Sequence, residues 1–262
     1  MKKNIKDCEM KISVVGIGTV GRPLFEALRY YHKDVVRYDK YKSLDSWDDV
    51  LSTDITFICV PTDESDDGRL DMAHVEEILS NLSRAAYGGL VVVKSTLKLG
   101  YISDAIQRYT DLDIAVFPEW LRAIHAFPDT LSPEMTVLGV KNSRQGDIIL
   151  DVCCWHNKKD AIVLSPEEAV MVKLTANALA STKITFANQI MLICKEYGLD
   201  AERIMDAIKT DPRCCPRYLS PGGAYGGYCL PKDTSELANS IPDENLFDMV
   251  QRINNLIKKD KG

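Results

Sequence analysis

Gly16-Ile17-Gly18-Thr19-Val20-Gly21 is the stretch on which the reading of the fold turns. It follows Lys11 to Gly16, a short apolar run that reads as a buried strand. It opens Val20 to Tyr31, where apolar residues recur at helical spacing. A G-x-G-x-x-G between a strand and a helix has a mechanical meaning. The first glycine permits a tight turn, the second lets the backbone approach a pyrophosphate, and the third lets helix and strand pack closely. The N–H groups at the helix start then face phosphate oxygens. The plain alternative is a glycine turn with no ligand. Asp34 to Tyr38 argues against it, because it reads as a second strand and ends at Asp39, near the offset expected for an acid that bonds a ribose. An acid there repels a 2′-phosphate and points to NAD rather than NADP, although the flanking Arg37 and Lys40 pull the other way.

Outward from this motif the chain keeps a regular rhythm. Ile55 to Val60, Leu90 to Lys94 and Ile114 to Phe117 read as strands. Asp71 to about Ala86 reads as a helix with Asp71 as its N-cap, and Gly100 to Tyr109 as another. Strands alternating with helices imply βαβ units, an α/β fold and a Rossmann-type doubly wound parallel sheet. The pattern changes near residue 160. Ala161 to Leu164 looks like a last strand, and Ser165-Pro166-Glu167-Glu168 is a capping box with Pro at the first helical position. A long helix is expected through to Tyr197, stopped by Gly198, and a second over Ala201 to Lys209. A Gly/Pro-rich loop then covers Asp211 to Pro231, and a charged helix runs from about Asn245 to Lys259. Two domains follow from this: residues 1–160 for the dinucleotide and residues 161–262 as a helical domain.

The 262 residues carry a net charge of −6, which is not the basic face a nucleic-acid binder needs. No run approaches the ~20 apolar residues of a membrane span, and Met1 to Met10 lacks the apolar stretch of a signal peptide. A cytoplasmic protein is the expectation. The eight cysteines (Cys8, Cys59, Cys153, Cys154, Cys194, Cys214, Cys215 and Cys229) include no C-x-x-C pair, so neither a disulfide framework nor a metal site is expected. Most of them read as small buried apolar residues.

Three short segments sit where the strands of an open parallel sheet would meet a ligand: Cys59-Val60-Pro61-Thr62, Ser95-Thr96 and Pro118-Glu119, at the ends of the third, fourth and fifth strands. Pro221-Gly222-Gly223-Ala224-Tyr225-Gly226-Gly227-Tyr228-Cys229-Leu230-Pro231-Lys232-Asp233 is the most specific stretch. Its glycines bring backbone N–H groups close to a ligand, and Lys232 beside Cys229 favours a thiolate. A flexible loop with a buried cysteine is the alternative. Lys173 and Asn177, four apart, share one helical face.

Taken in order, these motifs resemble the UDP-glucose/GDP-mannose dehydrogenase family from about Lys11 to about Ile257. The resemblance runs through Gly16 to Pro23, Cys59 to Thr62, Ser95-Thr96, Pro118-Glu119-Trp120-Leu121 and Lys173-x-x-x-Asn177. It continues through Lys183 to Asn188, Asp211-x-Arg213 and Gly226 to Asp233. It implies two successive NAD-dependent oxidations of a sugar alcohol to an acid through a cysteine thioester. It implies Cys229 as nucleophile, Lys173 as oxyanion stabiliser and proton carrier, and Asn177 as a second donor. Asp233 would position a water or assist as base, and Glu119 would be the base of the hydrolysis, with Thr96 holding the water. Cofactor contacts are implied for Gly16, Ile17, Gly18, Thr19, Val20, Gly21, Asp39, Val60, Pro61, Thr62, Ser95, Thr96 and Lys232. Substrate contacts are implied for Glu119, Trp120, Leu121, Lys173, Asn177, Tyr218, Ser220, Gly222, Gly223, Tyr225 and Gly226, with Arg213 reaching a substrate in the neighbouring subunit. The resemblance further implies a nucleotide-sugar substrate, with a UDP-sugar favoured, and a homodimer built on the helix that starts at Pro166.

Three departures qualify the resemblance. Ala123 stands where the family has a second Glu near the cofactor, and Tyr228 replaces a serine beside the nucleophile. The family also continues into a further α/β domain that helps hold the nucleotide, whereas this sequence stops at Gly262, which leaves room for a separate chain supplying it. Two other readings therefore stand beside the active dehydrogenase: a non-catalytic NAD-binding, dimerising relative, and a two-electron β-hydroxyacid dehydrogenase, which needs no cysteine.

Overall fold

The structure, a computed structural model, describes residues 10–259. Cys8 and the segment before Met10, on which the signal-peptide reading rested, lie outside the described residues. The chain forms two compact units. Among the described residues, the first comprises 10–62 together with Asp71–Lys173, and the second comprises Asp63–Leu70 and 174–259.

The first unit alternates as the sequence rhythm predicts: β1 (Ile12–Val15), α1 (Gly21–Tyr31), β2 (Val35–Tyr38), α2 (Trp47–Leu51), β3 (Ile55–Ile58), α3 (Ala73–Arg84), β4 (Leu90–Val93), α4 (Tyr101–Arg108), β5 (Asp113–Val116), α5 (Ala126–Leu131), β6 (Val137–Gly139), α6 (Ser143–Val152) and β7 (Ile162–Leu164). The strands β1, β3 and β4 are buried at every position, the pattern of a sheet covered on both faces. Ile12, Val14, Phe57 and Val92 pack with Leu24 and Leu28 of α1 into the main core.

The seven strands lie in the order β2-β1-β3-β4-β5-β6-β7. The pairs β1–β2, β1–β3, β3–β4 and β4–β5 are parallel, as expected. The end of the sheet departs from the expectation. β6 pairs antiparallel with β5 through Val116↔Gly139, and β7 runs parallel to β6. The doubly wound sheet is thus mixed, because the chain turns back after β5 through α5 instead of crossing over a full helix. Gly139 is forced there by packing, since a Cβ would lie 2.7 Å from the Ala169 Cβ.

Sequence periodicity left α2, α5, β6 and α6 unmarked. Each is short or lacks a clear apolar stripe, and α2 spans only five residues. Asp71 does cap α3, accepting the Ala73 N–H at 2.8 Å, but from one residue outside Met72, which occupies the N-cap position.

α7 (Pro166–Glu196) is a single helix of 31 residues. Its capping box forms as read: Ser165 N–H donates to Glu168 Oε2 at 2.9 Å, and Glu168 N–H to Ser165 Oγ at 3.4 Å. Gly198 follows with φ +62°. The second unit continues with α8 (Ala201–Lys209), α9 (Cys229–Ala238) and α10 (Leu246–Lys259). α9 corrects the long loop expected over Asp211 to Pro231. Cys229 is its first residue, and Pro231 sits in the first turn, where a helix tolerates proline. The segment Asp63–Leu70 is tied to α9. Glu236, fully buried, takes Arg69 Nη2 at 2.7 Å and the Leu70 N–H at 2.9 Å, while Ser235 Oγ donates to Glu64 at 2.6 Å. No described helix is long and apolar enough to cross a membrane.

Candidate functional site

β1 is flanked by β2 on one side and β3 on the other, so the strand order reverses at β1. In open α/β sheets the ligand crevice lies at the carboxyl ends of strands at such a point. The glycine motif stands there. Gly16 has φ +90°, and a Cβ on it would come 2.7 Å from the Cys59 carbonyl oxygen. A Cβ on Gly21 would come 1.8 Å from the Gly16 carbonyl oxygen. Gly18 is exposed and a Cβ there would meet no protein atom within 4 Å. Packing therefore requires two of the three glycines and leaves the third open to a ligand, beside the N-terminus of α1. Thr19 is exposed next to it and Val20 is half-buried.

Asp39 Oδ2 accepts the Ile17 N–H at 3.0 Å and Lys42 Nζ at 2.9 Å, and Oδ1 accepts the Tyr41 N–H at 3.1 Å. Burial raises the carboxyl, but Lys42 and the two N–H groups outweigh it and hold Asp39 below the usual carboxylate range. The flanking cations noted in the sequence point elsewhere. Lys40 pairs with Glu77 at 2.6 Å and Arg37 lies 5.3 Å over the Phe25 ring. Lys42, unremarked in the sequence, is the cation on Asp39, and its spacing three residues after Asp39 was the available signal.

The strand ends extend the ladder into the motifs. Cys59 N–H donates to Val15 O, Lys94 N–H to Ile58 O and Phe117 N–H to Val93 O. Val60 to Thr62, Ser95-Thr96 and Glu119 thus share one edge of the sheet with Gly16. Ser95 Oγ donates to Val60 O at 2.7 Å and fastens two of these segments together. Glu119 is held from three directions. Its Oε1 accepts the N–H groups of Trp120 and Leu121, both at 2.5 Å, and its Oε2 faces Lys94 Nζ at 3.6 Å. Lys94 is 5% exposed, donates to Phe117 O at 3.2 Å and lies 4.0 Å from the centre of the Phe117 ring. It was missed in the sequence reading, although a lysine directly after Leu90-Val91-Val92-Val93 was a visible oddity. Lys173, buried on α7, donates to the Glu119 carbonyl oxygen and sits 4.9 Å over the Trp120 ring.

In the second unit the N-terminus of α9 carries the expected nucleophile. Cys229 is exposed, whereas burial pushes Cys59 and Cys153 up to about 12 despite the nearby Lys94. Behind Cys229, Asp233 is fully buried with both oxygens engaged. Lys232 Nζ donates to Oδ1 at 2.7 Å and Asn177 Nδ2 to Oδ2 at 2.5 Å. Lys232 also lies 5.2 Å from the Tyr228 ring centre, so the bulky residue in the serine's place packs on the lysine. Thr234, buried one residue on, donates to Ser181 Oγ on α7 at 2.8 Å and locks the two helices in register.

The loop before α9 is shaped from both sides. Asn188 and Asn254 bond its backbone at Gly222, Gly223 and Tyr225. Gly226 is exposed, with space around its Cα. The remaining substrate candidates have partners close by in the chain. Arg213 folds back on Asp211 at 2.5 Å, Tyr218 lies under Arg217, and Ser220 Oγ meets Lys209 Nζ at 3.1 Å. Among the described residues no group of three or more His, Cys, Asp or Glu side chains is placed to hold a metal.

The open space at Gly18, the N–H groups at the start of α1 and the carboxylate of Asp39 fit a dinucleotide. They would hold, in turn, its pyrophosphate and the adenosine ribose.

Known proteins agree. Residues 41–153 match the UDP-glucose/GDP-mannose dehydrogenase family's NAD binding domain, and residues 167–256 match its central domain. The UDP-glucose 6-dehydrogenase AglM of Haloferax volcanii is 32% identical over 223 residues, covering 78% of this chain and 52% of AglM. The GDP-mannose 6-dehydrogenase of Pseudomonas aeruginosa is 32% identical over 206 residues, covering 72% of this chain and 47% of its own length. The solved UDP-glucose dehydrogenase of Pyrobaculum islandicum superposes with a TM-score of 0.87 at 28% identity, over 98% of this chain and 70% of that one. The chain spans about half the length of the curated relatives it matches. Sheet, glycine crevice, cysteine-bearing helix and sequence matches lead to one assignment: this chain belongs to the UDP-glucose/GDP-mannose dehydrogenase family and contains its NAD-binding and central domains.

Proposed function

We propose that this chain carries the chemistry of an NAD-dependent nucleotide-sugar 6-dehydrogenase, oxidising a primary alcohol of a UDP-sugar to a carboxylate through a thioester on Cys229. The observation that carries the reading is the start of α9. An exposed thiol opens a helix, where N–H groups and the helix dipole favour a thiolate, and behind it the buried Lys232 and the half-buried Asn177 each hold one oxygen of the fully buried Asp233.

NAD, when bound, supplies the hydride acceptor for both oxidations, so each carboxylate corresponds to two NADH. Lys173 stabilises the substrate oxygen as it becomes anionic and carries its proton, and Asn177, one helical turn on, adds a second donor. Asp233 keeps Asn177 and Lys232 oriented. The Cys229 thiolate adds to the aldehyde carbon and the oxygen takes up a proton. Loss of that proton and of a hydride from the same carbon leaves the thioester. Glu119, its carboxylate fixed by two N–H groups, takes a proton from the attacking water held by Thr96. The carbon–sulfur bond then breaks, and the acid leaves with Cys229 restored as a thiolate.

The proposal extends to a homodimer. Along α7, Met171, Leu179, Phe186 and Ile193 are between 44% and 57% exposed. Their spacing of seven or eight residues draws one apolar stripe, which supports helix-on-helix packing with a second copy. A cytoplasmic setting, where NAD and sugar nucleotides occur, belongs to the same proposal. So does a nucleotide-gripping domain, from the same or a separate chain.

Ala123 favours a second reading, a non-catalytic NAD-binding relative, because it is an exposed residue of a short turn where the family has an acid. One experiment separates the two. The purified protein is incubated with NAD and a panel of UDP- and GDP-sugars, and NADH is counted against acid, with Cys229→Ala alongside. Two NADH per acid, abolished in the variant, is the expected result. NAD binding without turnover would replace it with the second reading.

A further inference from the structure

The segment Gly222-Gly223-Ala224-Tyr225-Gly226-Gly227 should be among the least ordered parts of the chain. Four glycines give it wide backbone freedom, and fixing each residue costs conformational entropy. Its order comes instead from two side chains. Asn188 of α7 accepts the Gly222 N–H on Oδ1 at 2.9 Å and donates Nδ2 to Gly223 O at 2.7 Å. Asn254 of α10 accepts the Tyr225 N–H on Oδ1 at 2.8 Å and donates Nδ2 to Tyr225 O at 3.0 Å. Both amides are buried, at 0% and 2% exposure. Each uses donor and acceptor together, as a peptide group does in a sheet, so a flipped amide would lose both bonds. The Tyr225 side chain is itself buried.

We propose that Asn188 and Asn254 are positioning residues that pre-shape the Gly222–Tyr225 backbone for a nucleotide sugar. The inference rests on the function proposed above. Pre-shaping removes the entropy a ligand would otherwise have to spend on ordering the loop, so the pair acts on affinity rather than on bond-making. It also makes α10 part of the substrate apparatus: through Asn254, a movement of that helix is a movement of the loop.

The test uses the full chain and two readouts, hydrogen–deuterium exchange of the peptide over residues 219–228 and UDP-glucose binding by calorimetry, with GDP-mannose as second probe. Asn188→Ala and Asn254→Ala are each expected to raise exchange in that peptide and weaken binding about tenfold, the worth of one lost hydrogen-bonded pair. Exchange in the rest of α7 and α10 should be unchanged. Glu236→Gln, which disturbs a buried group bonded to Arg69 and the Leu70 N–H, should lower thermal stability without either effect. If an alanine variant does not fold, Asn→Asp, which keeps the acceptor and loses the donor, replaces it. Unchanged exchange, or raised exchange with unchanged affinity, overturns the proposal. Wild-type protein that binds neither sugar nucleotide overturns the function reading and, with it, the ligand assigned to the loop. The exchange data then still decide whether the asparagines hold it.

Discussion

Lys94 Nζ lies 3.6 Å from Glu119 Oε2, with the two side chains 5% and 15% exposed. Removing one member of a buried pair strands the other, at about 3–5 kcal/mol. Glu119→Gln is expected near the low end, about 3 kcal/mol, because Lys94 keeps the Phe117 carbonyl and ring. Lys94→Met with Glu119→Gln should recover part of that loss. Urea unfolding of the single and double variants measures the coupling, and simple additivity would mean that the pair does not interact.

The glycine motif separates packing from ligand binding. Gly21→Ala drives a Cβ into the Gly16 carbonyl and should prevent soluble expression or lower the melting temperature by more than 10 °C, which is roughly 3 kcal/mol or more for a domain of this size. Gly18→Ala meets no protein atom and should fold with wild-type stability while weakening NADH binding about tenfold or more. Thermal melts and NADH fluorescence titration check both. Equal damage from the two substitutions would contradict the division.

Iodoacetamide should sort the thiols by environment. Cys229, exposed at a helix N-terminus, should react about tenfold faster than the exposed Cys154 and Cys215. Cys59 and Cys153, pushed up to about 12 by burial, should stay unmodified in the native protein. Peptide mass spectrometry over a time course reads the order, and labelling of Cys229 no faster than Cys154 would remove the case for an activated thiol.

His156 supplies a pH dependence. Burial, then the nearby Lys94 ammonium, lowers its imidazole to about 3, while Nδ1 shares a hydrogen bond with Thr136 Oγ1 at 2.7 Å. The folded state keeps this ring neutral, whereas the unfolded chain protonates it below about 6.5. Its contribution is therefore intact above pH 6.5 and is lost as pH falls toward 3, by up to about 1.4 kcal/mol per unit. Between pH 7.5 and 5.0, wild type should lose about 1–2 kcal/mol more than His156→Gln in urea unfolding. Parallel pH profiles would show that the ring titrates alike in both states.

Much of this was readable in advance because the physics was local. A glycine with φ +90° at Gly16, an acid at Asp39 and a capping box at Ser165 each declare themselves within a few residues. α9 hid for the opposite reason. Gly226-Gly227 before it and Pro231 in its first turn look like loop, and it is held by partners remote in sequence, Arg69 and Ser181. The reversal of β6 had no local mark, since strand direction depends on how the chain returns. Lys42 and Lys94 carried a local signal that was not followed, Asn188 was marked only as the end of a motif run, and Asn254 escaped because its partner, Tyr225, lies far from it in sequence. The substrate roles of Arg213, Tyr218 and Ser220 came from resemblance alone, and within this chain those side chains have local partners.

α7 carries Asn177, which meets Asp233, and Asn188, which meets the glycine loop, eleven positions further along one uninterrupted helix. Each residue of an α-helix advances the azimuth by about 100°. Deleting or inserting one residue between these two asparagines would swing one of them a quarter-turn or more away from its partner. The surface loops of this protein can drift in length, but this stretch of helix works as a ruler whose graduations are fixed. Changes in α7 are confined to substitution, and a relative whose helix differs by one residue there must rebuild either the acid array or the loop.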